Sequence, residues 1–123
     1  MQTACKRCFL LVTLIELIPT MGELEGGIKN LKKWMKPQLL PRNFLVGTDE
    51  AKVRQDPLGL VLIISPWNYP LNLSLNVLWA ALAAGNCAIV KPSEHAPHYA
   101  SLLNKLLNQY VSSVRTKFNY FLS

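Results

Sequence analysis

Residues 58–94 decide the fold of this chain, and they read LGLVLIISPWNYPLNLSLNVLWAALAAGNCAIVKPSE. No acidic or basic side chain occurs between Asp56 and Lys91. Three apolar runs are separated by short polar segments, which are PWNYP at residues 66–70, GN at residues 85–86 and KPSE at residues 91–94. An uncharged block this long must be buried, in protein or in lipid. We therefore expect chemistry at its polar breaks.

The apolar runs predict alternating strands and helices. Residues 60–64 are a continuous run of β-branched residues and leucine, typical of a strand buried on both faces. Residues 71–84 alternate like a strand in their first half, but their length, their alanines and the following Gly85-Asn86 favour a helix with a C-cap. Residues 87–90 are a second buried strand. Pro97 can begin a last helix, whose apolar face is predicted to contain Leu102, Leu103, Leu106 and Tyr110.

This β-loop-α-β-loop-α order predicts an α/β fold with a parallel sheet. A helical segment and a short hairpin are predicted before it. Apolar residues at steps of four, three and four indicate a helix over residues 23–36, ending before Pro37, on a face formed by Leu24, Ile28, Leu31 and Met35. Gly26 and Gly27 weaken that helix by up to about 1 kcal/mol each. Residues 44–55 combine an apolar run, a turn and an alternating segment typical of a hairpin arm.

A chain of this length and composition can form one domain with one hydrophobic core. Half of the 123 residues are hydrophobic, which excludes disorder throughout. The net charge is +6, from 13 basic and 7 acidic residues, and it favours anionic partners such as phosphates, nucleic acid or acidic lipid. Because the charges are dispersed towards both ends, we interpret them as solvated faces and expect no nucleic-acid partner.

The three cysteines indicate neither a disulfide framework nor a metal site. Cys5, Cys8 and Cys87 are odd in number and irregular in spacing, which favours a reducing compartment. Cys5 and Cys8 form a CxxC, but one such pair supplies only two of the four ligands that zinc needs. No strand precedes it, as a thioredoxin-like redox motif would require.

Two segments have membrane character. Two cations and the apolar residues 8–15 are similar to a secretory signal, but Glu16 interrupts the run and the alternative is the apolar start of a helix. Residues 71–90 are uncharged and long enough to span a bilayer, although their three asparagines would be costly in lipid. We expect a cytoplasmic protein, with membrane association as the alternative.

Both interesting loops follow strands, and ligands of parallel sheets bind at the carboxyl ends of strands. Asn68 offers a neutral amide donor that can hold a developing oxyanion; the alternative is an amide that ties down its own loop. Lys91 and Glu94 offer a cationic donor and an anionic acceptor that can grip the vicinal hydroxyls of a ribose. The alternative is a local ion pair. The phosphate-binding pattern G-x-G-x-x-G is absent.

Residues 60–94, and their flanks less closely, resemble the aldehyde dehydrogenase superfamily, in particular its class 3 branch of fatty and aromatic aldehyde dehydrogenases. The resemblance covers roughly residues 14–111. It is carried by PWNYPL at residues 66–71, ALAAGN at 81–86 and KPSE at 91–94, with LKKWM at 31–35 and NQYV at 108–111. It implies a partial Rossmann-like NAD(P)-binding domain over residues 14–111. Residues 1–13 and 112–123 are not similar to the family.

The resemblance also implies roles for single residues. Asn68 matches the amide that helps to form the oxyanion hole for the thiohemiacetal intermediate. Lys91 and Glu94 match the residues that hold the adenosine ribose of NAD or NADP, and Ser93 belongs to the same cofactor-binding loop. The strand end that lies along the cofactor is matched by Ile64, Ser65, Pro66 and Trp67.

Departures from the family limit these implications. The family's catalytic thiol and general-base glutamate lie on segments later than any in these 123 residues. Cys87 is not expected to replace the thiol, because an apolar strand disfavours a thiolate. The tail 112–123 begins where the family would enter its next strand. We interpret both dissimilar ends as products of truncation or of alternative gene boundaries.

The sequence therefore predicts a fragment of an NAD(P)-dependent aldehyde dehydrogenase, an enzyme that oxidises aldehydes to carboxylic acids. We expect this chain to be inactive alone. The parent enzyme would bind a small aldehyde and a dinucleotide and form a homodimer. The alternatives are a non-catalytic partner of full-length subunits, docking through an unpaired sheet edge, and a membrane-associated fragment.

Overall fold

A computed structural model describes residues 8–41 and 50–111, together with the backbone of residues 116–118. Its elements are, in chain order, a π-helical stretch (Thr13–Leu17), helix α1 (Ile18–Trp34), strands β1 (Gln38–Leu39), β2 (Lys52–Val53) and β3 (Leu60–Ile64), helix α2 (Pro70–Ala83), strand β4 (Cys87–Lys91), helix α3 (Pro97–Tyr110) and strand β5 (Thr116–Phe118). This order confirms the predicted α/β fold and the helix and hairpin before it. The N-terminal helix is longer than predicted, because residues 8–12 are already helical.

The central sheet is parallel and follows the chain order β3-β4-β5. Strand β3 pairs with β4 from Leu60 opposite Cys87 to Ile64 opposite Lys91. Strand β5 pairs with the other edge of β4, so part of the dissimilar tail contributes the third strand. Strands β1 and β2 form a separate antiparallel pair, and the predicted run and turn at residues 42–49 lie outside the described residues.

One face of the sheet is covered by helices α2 and α3. The core cluster joins one residue of β3, two of β4, one of α2 and two of α3, namely Ile63, Ala88, Val90, Leu78, Leu103 and Leu107. Because consecutive parallel strands are joined by these two helices, the core is assembled almost entirely from neighbours in sequence. Helix α1 packs against α2 and forms the outer layer.

The prediction that β3 is buried on both faces was wrong for the described part of the chain. Ile63 is buried, but Leu60, Leu62 and Ile64 are 65%, 62% and 67% exposed. Side chains alternate between the faces of a strand, and the described helices that contact this sheet pack on the face of Ile63. We call the opposite face of β3, formed by Leu60, Leu62 and Ile64, the bare face.

The predicted face of the last helix was also partly wrong. Leu103 is buried as expected, whereas three other predicted members are exposed, namely Leu102, Leu106 and Tyr110. The face that contacts the sheet instead contains Ala100, Leu103 and Leu107. Alanine at position 100 lets the helix approach closely, and a leucine-based pattern does not detect it.

The predicted C-cap at Gly85-Asn86 is confirmed. Gly85 has a φ of +85°, and its N–H donates to the Leu82 carbonyl at 3.0 Å. The Asn86 N–H donates to the Ala81 carbonyl at 3.0 Å, which completes a Schellman motif. The buried Asn86 side chain then accepts from the Gly59 N–H at 3.0 Å, so this turn also places the start of β3.

Gly27 of helix α1 lies directly against the indole ring of Trp79 in helix α2. It is buried, and a Cβ added there would lie 2.4 Å from Cζ3 and 2.6 Å from Cη2 of Trp79. Gly22, one turn earlier, has open space around its Cα. Gly27, which lowers the helix propensity of α1, therefore leaves the space that the Trp79 ring occupies.

We expect Gly27→Ala to destabilise the protein and Gly22→Ala to stabilise it. Overpacking against Trp79 costs about 1–3 kcal/mol, which exceeds the gain in helix propensity of up to about 1 kcal/mol. At Gly22 only the gain in propensity applies. Urea unfolding of both variants measures the difference, and equal free energies of unfolding would contradict the close packing.

Candidate functional site

The carboxyl ends of β3 and β4 lie side by side, as predicted. Ile64 is paired with Lys91, and the N–H of Ser65 donates to the Lys91 carbonyl at 3.0 Å. The pairing therefore continues one residue beyond β3, to the start of the first loop. Residues 65–70 and 91–94 leave the sheet at the same edge, which we call the rim.

The first loop enters helix α2 through a strained residue. Ser65 is only 4% exposed, and its Oγ lacks a hydrogen-bond partner among the described residues. Trp67 and Asn68 are exposed. Tyr69 has a φ of 49° and a ψ of 53°, a left-handed conformation that costs a non-glycine residue about 1–2 kcal/mol. Pro70 then begins the helix.

Asn68 presents its side chain to solvent at the rim. Within the described parts of the chain, no hydrogen bond was found that uses its amide, so that amide does not tie down its own loop there. The amide is therefore available to a ligand, and the two flanking prolines restrict the backbone that carries it. This geometry suits a donor that meets a ligand, although the role of Asn68 stays a prediction.

Lys91 and Glu94 form an ion pair on the second loop. The ammonium donates to Oε2 of Glu94 at 3.2 Å, and the two side chains are 36% and 57% exposed. A hydrogen bond from its own backbone, followed by the Lys91 ammonium, lowers the pKa of the Glu94 carboxyl. The Glu94 carboxyl therefore stays ionised near neutral pH, and the pair offers a donor and an acceptor that are open to solvent.

The base of the second loop is rigid. Pro92 and Ser93 are buried, and Ser93 Oγ accepts from the His95 N–H at 3.2 Å. This bond makes a local turn that directs residues 94 and 95 outwards. Ser93, one of the predicted cofactor-binding residues, thus shapes the loop while the exposed groups on it are Lys91 and Glu94.

Sequence reasoning missed Glu16. The structure brings this buried residue to the beginning of helix α2, where Oε2 accepts from the Leu71 N–H at 2.8 Å and the Asn72 N–H at 3.3 Å. A lone acid inside an apolar helical run was the available signal, because a buried carboxylate requires partners. The partner could not be named, since it lies 55 residues away.

The comparisons with known proteins identify the family. The family described as "Aldehyde dehydrogenase family" matches residues 18–112. The chain belongs to the aldehyde dehydrogenase family. It is 48% identical over 96 residues to "Aldehyde dehydrogenase family 3 member B1" from Homo sapiens, a match that covers 78% of this chain. It is 43% identical over 98 residues to "Aldehyde dehydrogenase" from Craterostigma plantagineum, covering 80%.

A solved structure of the family has the same fold. The "Substrate bound state of Staphylococcus Aureus AldH" superposes with a TM-score of 0.85 at 31% identity, covering 89% of this chain and 24% of that one. This aldehyde dehydrogenase chain spans only 20% of the length of both curated relatives. The Rossmann-like fold predicted from the sequence is thereby confirmed, and so is the partial coverage of the family.

None of the helices in the described residues is both long and apolar enough to cross a membrane.

We expect Lys91→Met to raise the pKa of Glu94 part of the way back towards its ordinary value. Only part is recovered, because the backbone hydrogen bond, the larger cause, remains. The pKa can be read from the side-chain carboxyl ¹³C resonance during an NMR titration. Lys105→Met, which removes an exposed lysine from helix α3, is the control and should leave that resonance unchanged. An unchanged pKa in Lys91→Met would contradict the ion pair.

Proposed function

We propose that this chain provides part of the oxyanion hole and part of the cofactor site of an NAD(P)-dependent aldehyde dehydrogenase. The observation that carries the proposal is the shared rim, where the Ser65 N–H bonds the Lys91 carbonyl at 3.0 Å. That contact places the loop of Asn68 beside the loop of Lys91 and Glu94. The loop of Asn68 then binds the reacting carbonyl oxygen, and the loop of Lys91 and Glu94 binds the dinucleotide.

The reaction proposed for the parent enzyme converts an aldehyde and water to a carboxylate. A cysteine thiolate attacks the aldehyde carbon, and the carbonyl oxygen becomes an oxyanion. A bound NAD(P)+ would supply the oxidising power by accepting the hydride from that carbon, which would leave a thioester. Water activated by a glutamate then cleaves the thioester, releasing the acid and the thiol. The family places both the cysteine and the glutamate on segments that these 123 residues do not include.

Asn68 acts at the first of these steps. As charge grows on the carbonyl oxygen, a fixed amide N–H stabilises it more than it stabilises the neutral aldehyde, which lowers the barrier. The exposed position of Asn68 and its uncommitted amide support this role. Because the amide is neutral, it can donate to the oxyanion without adding a net charge to the site before the reaction begins.

The rim also fits an adenosine ribose. The Lys91 ammonium can donate to one hydroxyl, and the Glu94 carboxylate can accept from both. Lys91 Nζ and Glu94 Oε2 are 3.2 Å apart. A ribose that bound between them would replace this ion pair with several hydrogen bonds. The Ser65 Oγ is itself buried and lacks a partner among the described residues, so the role of Ser65 at the cofactor rests on the family resemblance. Cofactor binding by residues 64–67, 91, 93 and 94 rests on these features and on the family resemblance.

A chimera tests the proposal. Residues 14–111 replace the matched region of the human relative, and NAD(P)H formation from an aldehyde is measured. We expect activity in the chimera, a decrease in kcat of roughly 10²–10³ in Asn68→Ala, and a raised KM for the dinucleotide in Lys91→Met. Asn108→Ala, on the exposed surface of α3, is the matched control. Unchanged kcat in Asn68→Ala would refute the oxyanion role.

The isolated chain should form no NAD(P)H above its own Asn68→Ala variant, because it contains no segment with the family's nucleophile. Turnover above that background would contradict this part of the proposal. We place such a chain in the cytoplasm, because its three irregularly spaced cysteines favour a reducing compartment. The homodimer proposed for the parent enzyme rests on the family resemblance.

A second candidate function is docking onto full-length subunits, and the bare face favours it. Parallel sheets are normally covered on both faces, yet three large apolar side chains project from β3 at 62–67% exposure. Co-purification with the full-length human relative would support docking. Leu62→Lys should abolish it, while Leu102→Lys, an exposed leucine on helix α3, should not. A complex that survives Leu62→Lys would exclude the bare face as its interface.

A further inference from the structure

Helix α2 begins without a cap of its own. Tyr69 occupies the N-cap position, and its side chain makes no capping hydrogen bond. Pro70 follows and has no N–H, so the next donors that need an acceptor belong to Leu71 and Asn72. In most helices a serine, threonine, aspartate or asparagine at the N-cap accepts from these positions. Tyr69 cannot do so.

Glu16 supplies the missing acceptor from the N-terminal helical segment. A single carboxylate oxygen accepts from both donors, at 2.8 Å from the Leu71 nitrogen and 3.3 Å from the Asn72 nitrogen. Glu16 is only 8% exposed, so its charge is shielded from water and depends on these contacts. The helix dipole also favours a negative charge at this end.

A second set of hydrogen bonds holds the same turn. The Ser74 hydroxyl donates to the Pro70 carbonyl at 2.6 Å and hydrogen-bonds the Tyr99 hydroxyl of helix α3. Burial raises the pKa of Tyr99, the Ser74 hydrogen bond opposes this, and the negative charge of Glu16 adds to it. Glu16 and Tyr99 therefore lie close enough to interact electrostatically, and both are linked by hydrogen bonds to the first turns of α2.

We propose that Glu16 is a positioning residue for Asn68, because its carboxylate fixes the start of the helix into which the Asn68 loop runs. Asn68 is separated from the capped donor of Leu71 by Tyr69 and Pro70 alone. Tyr69 is left-handed and Pro70 has a restricted φ, so little freedom remains once Leu71 is held. The catalytic consequence of this inference rests on the proposed role of Asn68. The coupling between Glu16 and the position of Asn68 is tested independently of that role.

The test uses the full chain labelled with ¹⁵N. Glu16→Met approximately keeps the volume of the side chain and removes the acceptor of two N–H groups, which costs about 1–3 kcal/mol. We expect amide hydrogen exchange at Leu71 and Asn72 to accelerate roughly 5–30-fold, the factor that corresponds to loss of a helix cap. We also expect loss of order of the Asn68 backbone amide in ¹⁵N relaxation. Glu16→Gln, which retains an acceptor, should recover part of that order.

Two controls separate positioning from general stability. Glu25→Met removes an exposed acid of α1 that lies 4.0 Å from Lys29, and it should change neither readout. Leu107→Ala removes a buried side chain at the far end of α3, and it should lower stability without a selective change at Asn68. An unchanged Asn68 amide in Glu16→Met, or a loss of order spread equally over β4, would overturn the proposal. Neither readout needs aldehyde oxidation, so a failed chimera would leave this result intact.

Discussion

The parallel pairing of β3 with β4 is the constraint on which the candidate site depends. Its register puts Ile64 opposite Lys91, and the Ser65 N–H extends the pairing by one bond. A slip of one residue would turn every side chain of β3 to the other face, which would expose Ile63 and move the two loops apart. Burial of Ile63 in one core cluster with Leu78 and Leu103 therefore also holds the start of the Asn68 loop beside the start of the loop of Lys91 and Glu94.

The parts of the fold that follow from local pattern could be predicted from the sequence. Uncharged runs, Pro70, Gly85 and Pro97 mark the elements, and the strand-loop-helix order implies a common rim for the two loops. The exposure of Leu60, Leu62 and Ile64 could not be predicted. A strand without polar residues shows no alternation of polar and apolar side chains, so its sequence does not indicate which face is covered. Nor could Ala100 be recognised as a buried contact, because a small side chain adds little to an apolar pattern.

The contacts between the N-terminal helices and α2 depend on distant residues, and here local rules misled. Gly27 lowers helix propensity but receives the ring of Trp79. Glu16 interrupts an apolar run but caps a helix 55 residues later. In both cases the local cost is offset by a tertiary contact that neither segment reveals alone. The residue types were informative, while their partners required the structure. For the rim itself, the geometry is compatible with the roles that the resemblance implies for Asn68, Lys91 and Glu94.

The bare face has a consequence for biogenesis. Strands β3, β4 and β5 are successive in the chain and adjacent in the sheet, so they can pair as soon as all three have been synthesised. During synthesis the sheet can therefore acquire its first core, around Ile63 and Val90, while Leu60, Leu62 and Ile64 are still uncovered. A partly assembled sheet with an apolar surface invites self-association and recruits chaperones. In a nascent polypeptide of this family, early folding of the helix-covered face of the sheet would leave the bare face exposed to aggregation until later segments cover it.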